Sequence, residues 1–284
     1  MRVRRLVSLL ALVLLFVAAA SAAEPWVAPR GPGGKPDLNG TWQAFSRAND
    51  GLEAHAARAA RALREGPHGP LPAKEVLALG AVGAVPAGLG VVVGGKIPYQ
   101  DWARAKQQEN RAAWLERDPE IKCYQPGIPR ATYLPYPFQI FHNERALFFA
   151  YEYAGAVRNV LLENPGPAPL DSWMGQSVGT WDGDTLVIET TGQNDQTWLD
   201  RAGNFHSEAL RVVERFTPTS PHTLDYEATL EDEKVFTRPW KIRMTLYRLV
   251  GDDAVLQKFN CVEFVEELVY GHLRKKPLDR ELPE

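Results

Sequence analysis

The connection at 192–207 carries the residue types of an acid–base site. It holds two carboxylates, an indole, a guanidinium, an amide and an imidazole: Asp195, Trp198, Asp200, Arg201, Asn204 and His206. Connections beyond about 12–15 residues without secondary structure are uncommon unless they are functional. An imidazole exchanges protons near neutral pH, and a neighbouring carboxylate fixes its tautomer. We therefore expect His206, with Asp195 or Asp200, to be catalytic; the alternative is a surface loop whose Asp and Asn side chains cap turns.

Glu214 is the other candidate for acid–base chemistry, because it lies in phase with apolar residues of a predicted strand. On alternation it shares one face with three of them: Leu210, Val212 and Phe216. A carboxylate on such a face is a candidate catalytic group or ligand anchor, with Arg215 beside it to orient a ligand. The alternative is a buried ion pair with Arg238, Arg243 or another arginine, which would serve structure alone.

Aromatic side chains are the predicted walls of a ligand site. The chain contains 8 Trp, 9 Tyr and 11 Phe. Alternation along the predicted strand 146–153 puts two tyrosines on one face, and these join other residues as predicted ligand contacts: Tyr151, Tyr153, Trp173, Trp198 and Asn204. Flat or ring-shaped ligands suit such walls, although the same rings are also typical of a core.

Sequence patterns for metal and cofactor binding are missing. There is no His-x-x-x-His, no cysteine pair at zinc spacing and no acidic calcium loop, so we expect neither a metal nor a cofactor. The stretch 175–179 matches Gly-x-Ser-x-Gly, with Ser177 at its centre. That motif needs a strand–turn–helix elbow, whereas here it enters a predicted hairpin. A serine nucleophile is therefore not expected.

Composition indicates a globular chain without a nucleic-acid partner. The 284 residues are 45% hydrophobic and 24% charged, with a net charge of −3, which excludes disorder over most of the length. Removal of a leader that holds three arginines lowers Lys and Arg from 32 to 29 against 35 acidic residues, a net charge of −6. Mild acidity offers no electrostatic footprint for nucleic acid or anionic lipid.

The amino terminus has the pattern of a secretory signal peptide. A basic start with Arg2, Arg4 and Arg5 precedes an apolar run at 6–20 and small residues near Ala22. The run is about 15 residues where a membrane span needs about 20, although an uncleaved anchor is the alternative. We expect residues 1–23 to be removed, and residues 24–284 to form one periplasmic or secreted domain without a membrane span. The oligomeric state and the export route stay open.

The two cysteines are predicted to pair. Export to an oxidising compartment favours a disulfide between Cys123 and Cys261, worth roughly 4 kcal/mol in the chain-entropy model. Two free, buried thiols are the alternative.

Hydrophobic periodicity predicts a mainly β protein. From residue 138 onward apolar residues recur at every second position, and short turns separate the runs. Predicted strands cover 38–45, 146–153, 157–162, 178–181, 184–190, 210–217, 223–230, 236–249 and 255–262. Asp182-Gly183 predicts a type I′ turn in the best hairpin. We expect an antiparallel meander of about 8–10 strands, within 138–263, that closes into a lipocalin-like barrel. Residues 52–117 would form an insertion with one or two helices, at 52–65 and 99–117.

Several motifs resemble a large, uncharacterised family of exported bacterial proteins. They span most of the chain after the leader: Gly34–Trp42, Ile97–Gln100, Cys123–Arg130, Asp171–Ser177, Trp181–Val187, Glu214–Phe216, Thr237–Trp240 and Cys261–Glu263. The resemblance implies export and no particular activity. Gly40-Thr41-Trp42 before a meander is also similar to lipocalin-type barrels, which implies a barrel.

These features predict three functions in order of preference. The first is an exported protein that binds a small apolar or aromatic molecule in a barrel cavity. The second is a cofactor-independent lyase, isomerase or hydrolase that uses His206, Asp195 and Glu214. The third is a structural or envelope-interaction domain.

Overall fold

The computed structural model describes residues 26–58, 63–66, 69–72, 85–252 and 254–259. The predicted signal peptide at 1–23 and Cys261 lie outside these residues, so export and the disulfide stay predictions. Within the described ranges, no helix is long and apolar enough to cross a membrane.

Strands dominate the described chain. The strands are β1 Gly40–Ala44, β2 Leu63–Gly66, β3 Gly69–Pro72, β4 Phe138–His142, β5 Leu147–Tyr151, β6 Val157–Leu161, β7 Gln176–Asp182, β8 Thr185–Thr191, β9 Arg211–Ser220, β10 Thr223–Glu231 and β11 Trp240–Arg248. The α-helices are α1 Asp101–Ala112, α2 Trp114–Arg117 and α3 Arg130–Tyr133.

Nine of these strands form the predicted closed barrel, in the order β1-β11-β10-β9-β8-β7-β6-β5-β4. Strands β4 to β11 follow chain order, and β1 closes the ring between the two ends of that series. Trp42 pairs with Arg248 on one side and with Phe138 on the other. Strands β2 and β3 form a separate two-stranded sheet. The mainly β, lipocalin-like fold class is confirmed, and α1 and α2 lie within the predicted helix at 99–117.

The period-two pattern explains which side chains face inward. Along β10, Leu224, Tyr226, Ala228 and Leu230 are buried, and the residues between them are partly exposed. Successive side chains of a strand point to opposite faces, so one face of β10 supplies the barrel core.

Side chains meet across the centre of the barrel. The rings of Phe149 on β5 and Phe216 on β9 lie 5.7 Å apart between centroids. Strands β5 and β9 are four places apart in the closed order, so this contact spans the interior. Aromatic side chains therefore fill the barrel at this level, where a hollow was expected.

The meander is not purely antiparallel. Strands β6 and β7 pair in parallel, with Val160 beside Ser177 and Leu161 beside Val178. Parallel neighbours need a crossover connection of about a dozen residues, and the chain supplies one at 162–175. The meander was expected to be antiparallel, and the barrel is mixed at this step because this connection carries the chain back to the starting end of β6.

The helix predicted at 52–65 is absent from the described part of that stretch. Residues 51–58 are irregular, and 63–66 belong to β2. His55 and Gly88 exchange two backbone hydrogen bonds, as do Arg58 and Val85. Pairing with a distant segment satisfies the backbone groups that a helix would have satisfied, and it overrides helix propensity.

The predictions of a turn and two strand boundaries also need correction. In the β7–β8 hairpin the two turn residues are Gly183 and Asp184, and only Gly183 has a positive φ, which fits a type II′ turn. Strand β11 begins at Trp240 because the preceding residues turn, with the Phe236 N–H donating to the Asp232 carbonyl. Residues 255–259 form no strand, and 260–262 lie outside the described residues.

Candidate functional site

An open cleft of about 600 Å³ lies between α1 and the segment 195–207, outside the barrel. It brings together three of the predicted site residues, Asp195, Trp198 and His206, with Trp102 and Lys106 of α1. Trp102, Lys106 and Glu109 form the helix side of the cleft together, because residues three, four and seven apart share one face of an α-helix.

Aromatic rings form the walls of this cleft. Trp102 is 54% exposed, which is unusual for so large an apolar side chain. Its ring lies 6.0 Å from that of Phe205, with an angle of 63° between the planes. Trp198 is buried and pairs through its backbone with Phe205. The helix and the loop therefore each contribute aromatic surface to the same cavity.

His206 is held as a neutral ring at the base of the cleft. Its Nδ1 lies 2.8 Å from the Ser207 carbonyl, which can only accept, so Nδ1 carries the proton. The hydroxyl of Thr197 then donates to Nε2 at 2.6 Å. Burial lowers the pKa of His206 below its ordinary value, against smaller raising effects from the Ser207 carbonyl, Asp232 and Asp195. A backbone carbonyl therefore fixes the tautomer, where Asp195 or Asp200 was expected.

Asp195 is the unpaired charge of the cleft. Its side chain is exposed and forms no ion pair with any residue that the structure describes. The other charges at this cleft are matched: Glu109 Oε2 lies 3.4 Å from Lys106 Nζ, and Glu109 Oε1 lies 2.6 Å from Arg117 Nη1. The Asp195 carboxylate is therefore available to a bound molecule.

Buried hydrogen bonds shape the loop behind the cleft. Asn204 donates to Asp200 twice, from its backbone N–H at 3.1 Å and from Nδ2 at 2.5 Å. Asp200 also accepts from the Leu52 N–H at 2.7 Å, and Tyr99 donates its hydroxyl proton to Asn204 Oδ1 at 3.0 Å. Asp200 and Asn204 are therefore structural residues of the loop, and Asp200 is not bonded to His206.

A buried charge network anchors the same loop. Arg130 makes two hydrogen bonds to Asp118, at 2.7 and 2.9 Å, and one to Glu120 at 2.7 Å. Arg201 adds two more to Glu120, at 2.8 and 2.9 Å. Burial alone raises the pKa of Glu120, but Arg201 and Arg130 lower it to about 2. Glu120 therefore stays ionised and holds Arg201 of the loop, and Arg130 links Glu120 to Asp118.

One glycine sets the distance between the loop and α1. Gly203 has a φ of +82°, and a Cβ there would lie 2.5 Å from the Arg111 backbone nitrogen and 2.8 Å from the Gln107 carbonyl oxygen. Only glycine permits this backbone conformation and this approach together. The width of the cleft therefore depends on Gly203.

Glu214 lies inside the barrel, away from the cleft, and is fully buried. Its Oε2 accepts a hydrogen bond from Arg158 Nη2 at 2.5 Å. Its Oε1 accepts from the hydroxyls of Tyr226 at 2.8 Å and Thr132 at 3.3 Å. The partner of Glu214 is thus Arg158 and neither Arg238 nor Arg243. A buried ion pair of this kind corresponds to the structural alternative given above for Glu214.

Tyr151 belongs to this interior cluster as well. It is buried on β5, and burial raises its pKa to about 12. Arg158 also donates to Ser177 Oγ at 2.7 Å and to Thr190 Oγ1 at 2.6 Å. Most polar groups of this cluster are therefore bonded to one another, whereas the Tyr151 hydroxyl and Arg158 Nη1 have no hydrogen-bond partner among the described residues.

The remaining predicted ligand contacts lie apart from the cleft. Tyr153 is beyond the end of β5, in a short 3₁₀ turn, and donates its hydroxyl proton to the Glu120 carbonyl at 2.8 Å. Alternation along one strand therefore does not relate it to Tyr151. Trp173 packs against Tyr124, with ring centroids 5.1 Å apart. Arg215 lies on the outer face and pairs with Asp182 at 2.7 Å.

Sequence reasoning missed Trp102, Phe205 and Arg158. A tryptophan among the charged residues of an amphipathic helix was a usable signal for Trp102, because nothing in that pattern buries it. Arg158 is in phase with the buried Val160, so an inward arginine could have been inferred as the partner of Glu214.

Metal ligands are not clustered in the described part of the chain, where no group of three or more His, Cys, Asp or Glu side chains could hold an ion. Scans against protein-family models, against curated proteins and against solved structures return no match for this chain.

Proposed function

We propose that this chain is an exported binding protein that holds a small aromatic molecule in the cleft between α1 and 195–207, with a preference for a cationic one. The observation that carries the proposal is the meeting of Trp102, Trp198 and Phe205 with the unpaired carboxylate of Asp195. Concave, mostly apolar sites with a few polar groups are the usual form of small-molecule sites.

The aromatic rings and the Asp195 carboxylate of the cleft favour a positively charged ligand. Aromatic faces attract cations through their quadrupole, by about 0.5–2 kcal/mol for each contact, and aromatic cages recognise quaternary ammonium groups. The Trp102 and Phe205 rings stand at 63° to each other, so they present two differently oriented surfaces. Asp195 supplies the complementary charge at the same opening.

The cleft is preferred to the barrel interior as the binding site for a reason of packing. Phe149, Phe216 and Tyr226 form a continuous series of ring contacts across the interior, with centroids 5.7 and 5.0 Å apart. A ligand placed there would have to displace these rings, whereas the cleft is open.

The enzymatic alternative uses the same cleft and is second to binding. His206 and Asp195 both line it, which favours acid–base chemistry. Both ring nitrogens of His206 are already hydrogen-bonded, however, to Thr197 and to the Ser207 carbonyl. A proton transfer to a substrate through Nε2 would first have to break the Thr197 bond.

The test uses two probes of the same shape, phenyltrimethylammonium and tert-butylbenzene, which differ by a positive nitrogen in place of carbon. Binding is measured by ligand-observed NMR. We expect the cation to bind more tightly, Trp102→Ala to weaken both probes by about tenfold, and Asp195→Asn to weaken only the cation, by severalfold.

Trp26→Ala is the matched control, because Trp26 is 38% exposed and does not line the cleft. It should leave both affinities unchanged. Failure of both probes to bind, or equal effects of Trp102→Ala and Trp26→Ala, would overturn the proposal and favour a structural or interaction domain.

A further inference from the structure

A second, smaller pocket lies on the other face of α1 from the cleft. It has a volume of about 80 Å³, the space of two or three water molecules. Arg104, Gln107 and Arg111 of α1 line it, opposite His55 and Arg58. Their spacing of three and four residues puts the three helix residues on one face of α1.

Two arginines of this pocket form no ion pair with a described residue. Neither the Arg58 nor the Arg111 guanidinium has a carboxylate within 4.0 Å or donates a hydrogen bond within the part of the chain that the structure describes. Arg58 is only partly exposed, and burial followed by the charge of Arg111 lowers its pKa, against smaller raising effects from Asp50 and Asp200. A half-buried cation next to a like charge is unfavourable unless something neutralises it.

The acidic residues of the pocket are already committed elsewhere. Glu53 accepts from the Ile97 N–H at 2.8 Å and pairs with Arg104 at 3.4 Å and Lys96 at 3.5 Å. Asp50 Oδ2 lies 3.8 Å from Arg47 Nη1. The guanidinium groups that remain without an ion pair at the pocket are therefore those of Arg58 and Arg111, and Asp50 and Asp200 offset the charge of Arg58 only from a longer distance.

The backbone holds the pocket in shape around these groups. Arg58 exchanges two hydrogen bonds with Val85, of 2.8 and 3.2 Å. The His55 ring lies against two glycines, and a Cβ would come within 2.9 Å of it at Gly51 and 2.5 Å at Gly88. His55 Nε2 is buried and has no hydrogen-bond partner. A built, polar pocket thus surrounds the unmatched charges.

We propose that this pocket binds a small oxyanion of the phosphate class between the guanidinium groups of Arg58 and Arg111. Guanidinium groups donate paired, charge-assisted hydrogen bonds to phosphate oxygens, and such bonds are about twice as strong as neutral ones. An anion there would remove the repulsion between the two arginines. The site is independent of the aromatic cleft and of what that cleft binds.

The experiment titrates inorganic phosphate into the full chain by calorimetry at constant ionic strength, with chloride as the replaced anion. We expect saturable binding that Arg58→Gln and Arg111→Gln each weaken by about tenfold or more. Arg145→Gln is the matched control, since Arg145 is exposed, unpaired and outside the pocket, and it should bind phosphate like the wild type.

A second measurement separates this role from a structural one. Without phosphate, Arg58→Gln should melt at the same temperature as the wild type or higher, because it removes an unmatched charge. Phosphate should raise the melting temperature of the wild type and not that of Arg58→Gln. A large loss of stability in Arg58→Gln without phosphate would show a structural contact and overturn the proposal.

Phenyl phosphate and acetate identify the source of the anion. Equal binding of phenyl phosphate and phosphate supports a site for the phosphate group of a larger molecule, and binding of phosphate alone supports a site for the free ion. Acetate binding as tight as phosphate, no phosphate binding, or binding that neither arginine variant weakens would each overturn the proposal.

Discussion

Inside the barrel Glu214 is bonded to Arg158, Tyr226 and Thr132, whereas in the outer cleft the Asp195 carboxylate has no ionic partner among the described residues. Both regions combine aromatic rings with ionisable groups. In the interior both oxygens of Glu214 accept hydrogen bonds, although the Tyr151 hydroxyl and Arg158 Nη1 are buried without a hydrogen-bond partner among the described residues. In the cleft the exposed Asp195 carboxylate forms no ion pair with a described residue. If the proposed function holds, the lack of an ionic partner is a better guide to a site than the burial of a carboxylate.

The largest expected effect tests the interior half of this comparison. Arg158→Met leaves the Glu214 carboxylate buried without its counter-charge, so we expect a loss of about 3–5 kcal/mol in the free energy of unfolding. The double variant Arg158→Met/Glu214→Leu removes both charges and should recover most of that loss. Urea denaturation measures both quantities.

Probe binding to the same Arg158→Met/Glu214→Leu variant tests whether the barrel interior takes part in ligand binding in the cleft. The folded double variant should bind phenyltrimethylammonium like the wild type, because its changes lie inside the barrel. Loss of binding in a well-folded double variant would show that the interior cluster takes part in ligand recognition, and the two regions would no longer be distinct.

A smaller effect is expected where the cleft is shaped. Gly203→Ala should cost about 1–3 kcal/mol and weaken probe binding, because the new methyl group collides with the α1 backbone. Gly166→Ala is the matched control: Gly166 has a φ of +86° and nothing within 4 Å of an added Cβ. If both variants lose the same stability and keep probe affinity, the close approach of loop and helix does not shape the cleft.

The smallest effect concerns pH. Since burial lowers the pKa of His206, the unfolded chain binds its proton at a higher pH than the folded chain does. Stability should therefore be full above about pH 6.5 and fall as the pH decreases through the unfolded pKa toward the folded one. His206→Gln should reduce that decrease, measured as the melting temperature from pH 7.5 to 5.5.

Part of this slope should remain in His206→Gln, because burial also lowers the pKa of His142. An identical slope in wild type and variant would mean that His206 does not lose its proton on folding, and the neutral, doubly bonded ring assigned to it would be incorrect.

The barrel could be predicted from the sequence because the patterns that specify its strands and hairpins lie within short stretches of the chain. Alternation along β10 and the Gly183 turn of the β7–β8 hairpin are each visible within about ten residues. The parallel step from β6 to β7 was not visible, since it depends on the path of a connection and not on any periodic pattern. The helix predicted at 52–65 failed because backbone pairing with residues 85–88 decided the outcome.

The candidate site likewise has a part that could be predicted from local sequence and a part that depends on tertiary packing. Asp195, Trp198 and His206 lie on one segment, so their types alone could suggest a common site. Trp102 meets Phe205 only because α1 packs on that segment, about 100 positions away in sequence. The Glu214 partner was foreseen as an arginine, but its identity depends on which strand lies opposite β9, which is a property of the closed ring.

The position of β1 in the ring determines the order in which the chain can be completed. Trp42 must wait for Arg248 before it gains its second neighbouring strand. A newly made chain therefore has β1 without its second neighbouring strand until residue 248 has been synthesised, and the entropy of closing a loop of about 200 residues opposes this final pairing. The barrel therefore closes only after β11, the last of its strands in the chain, has been made.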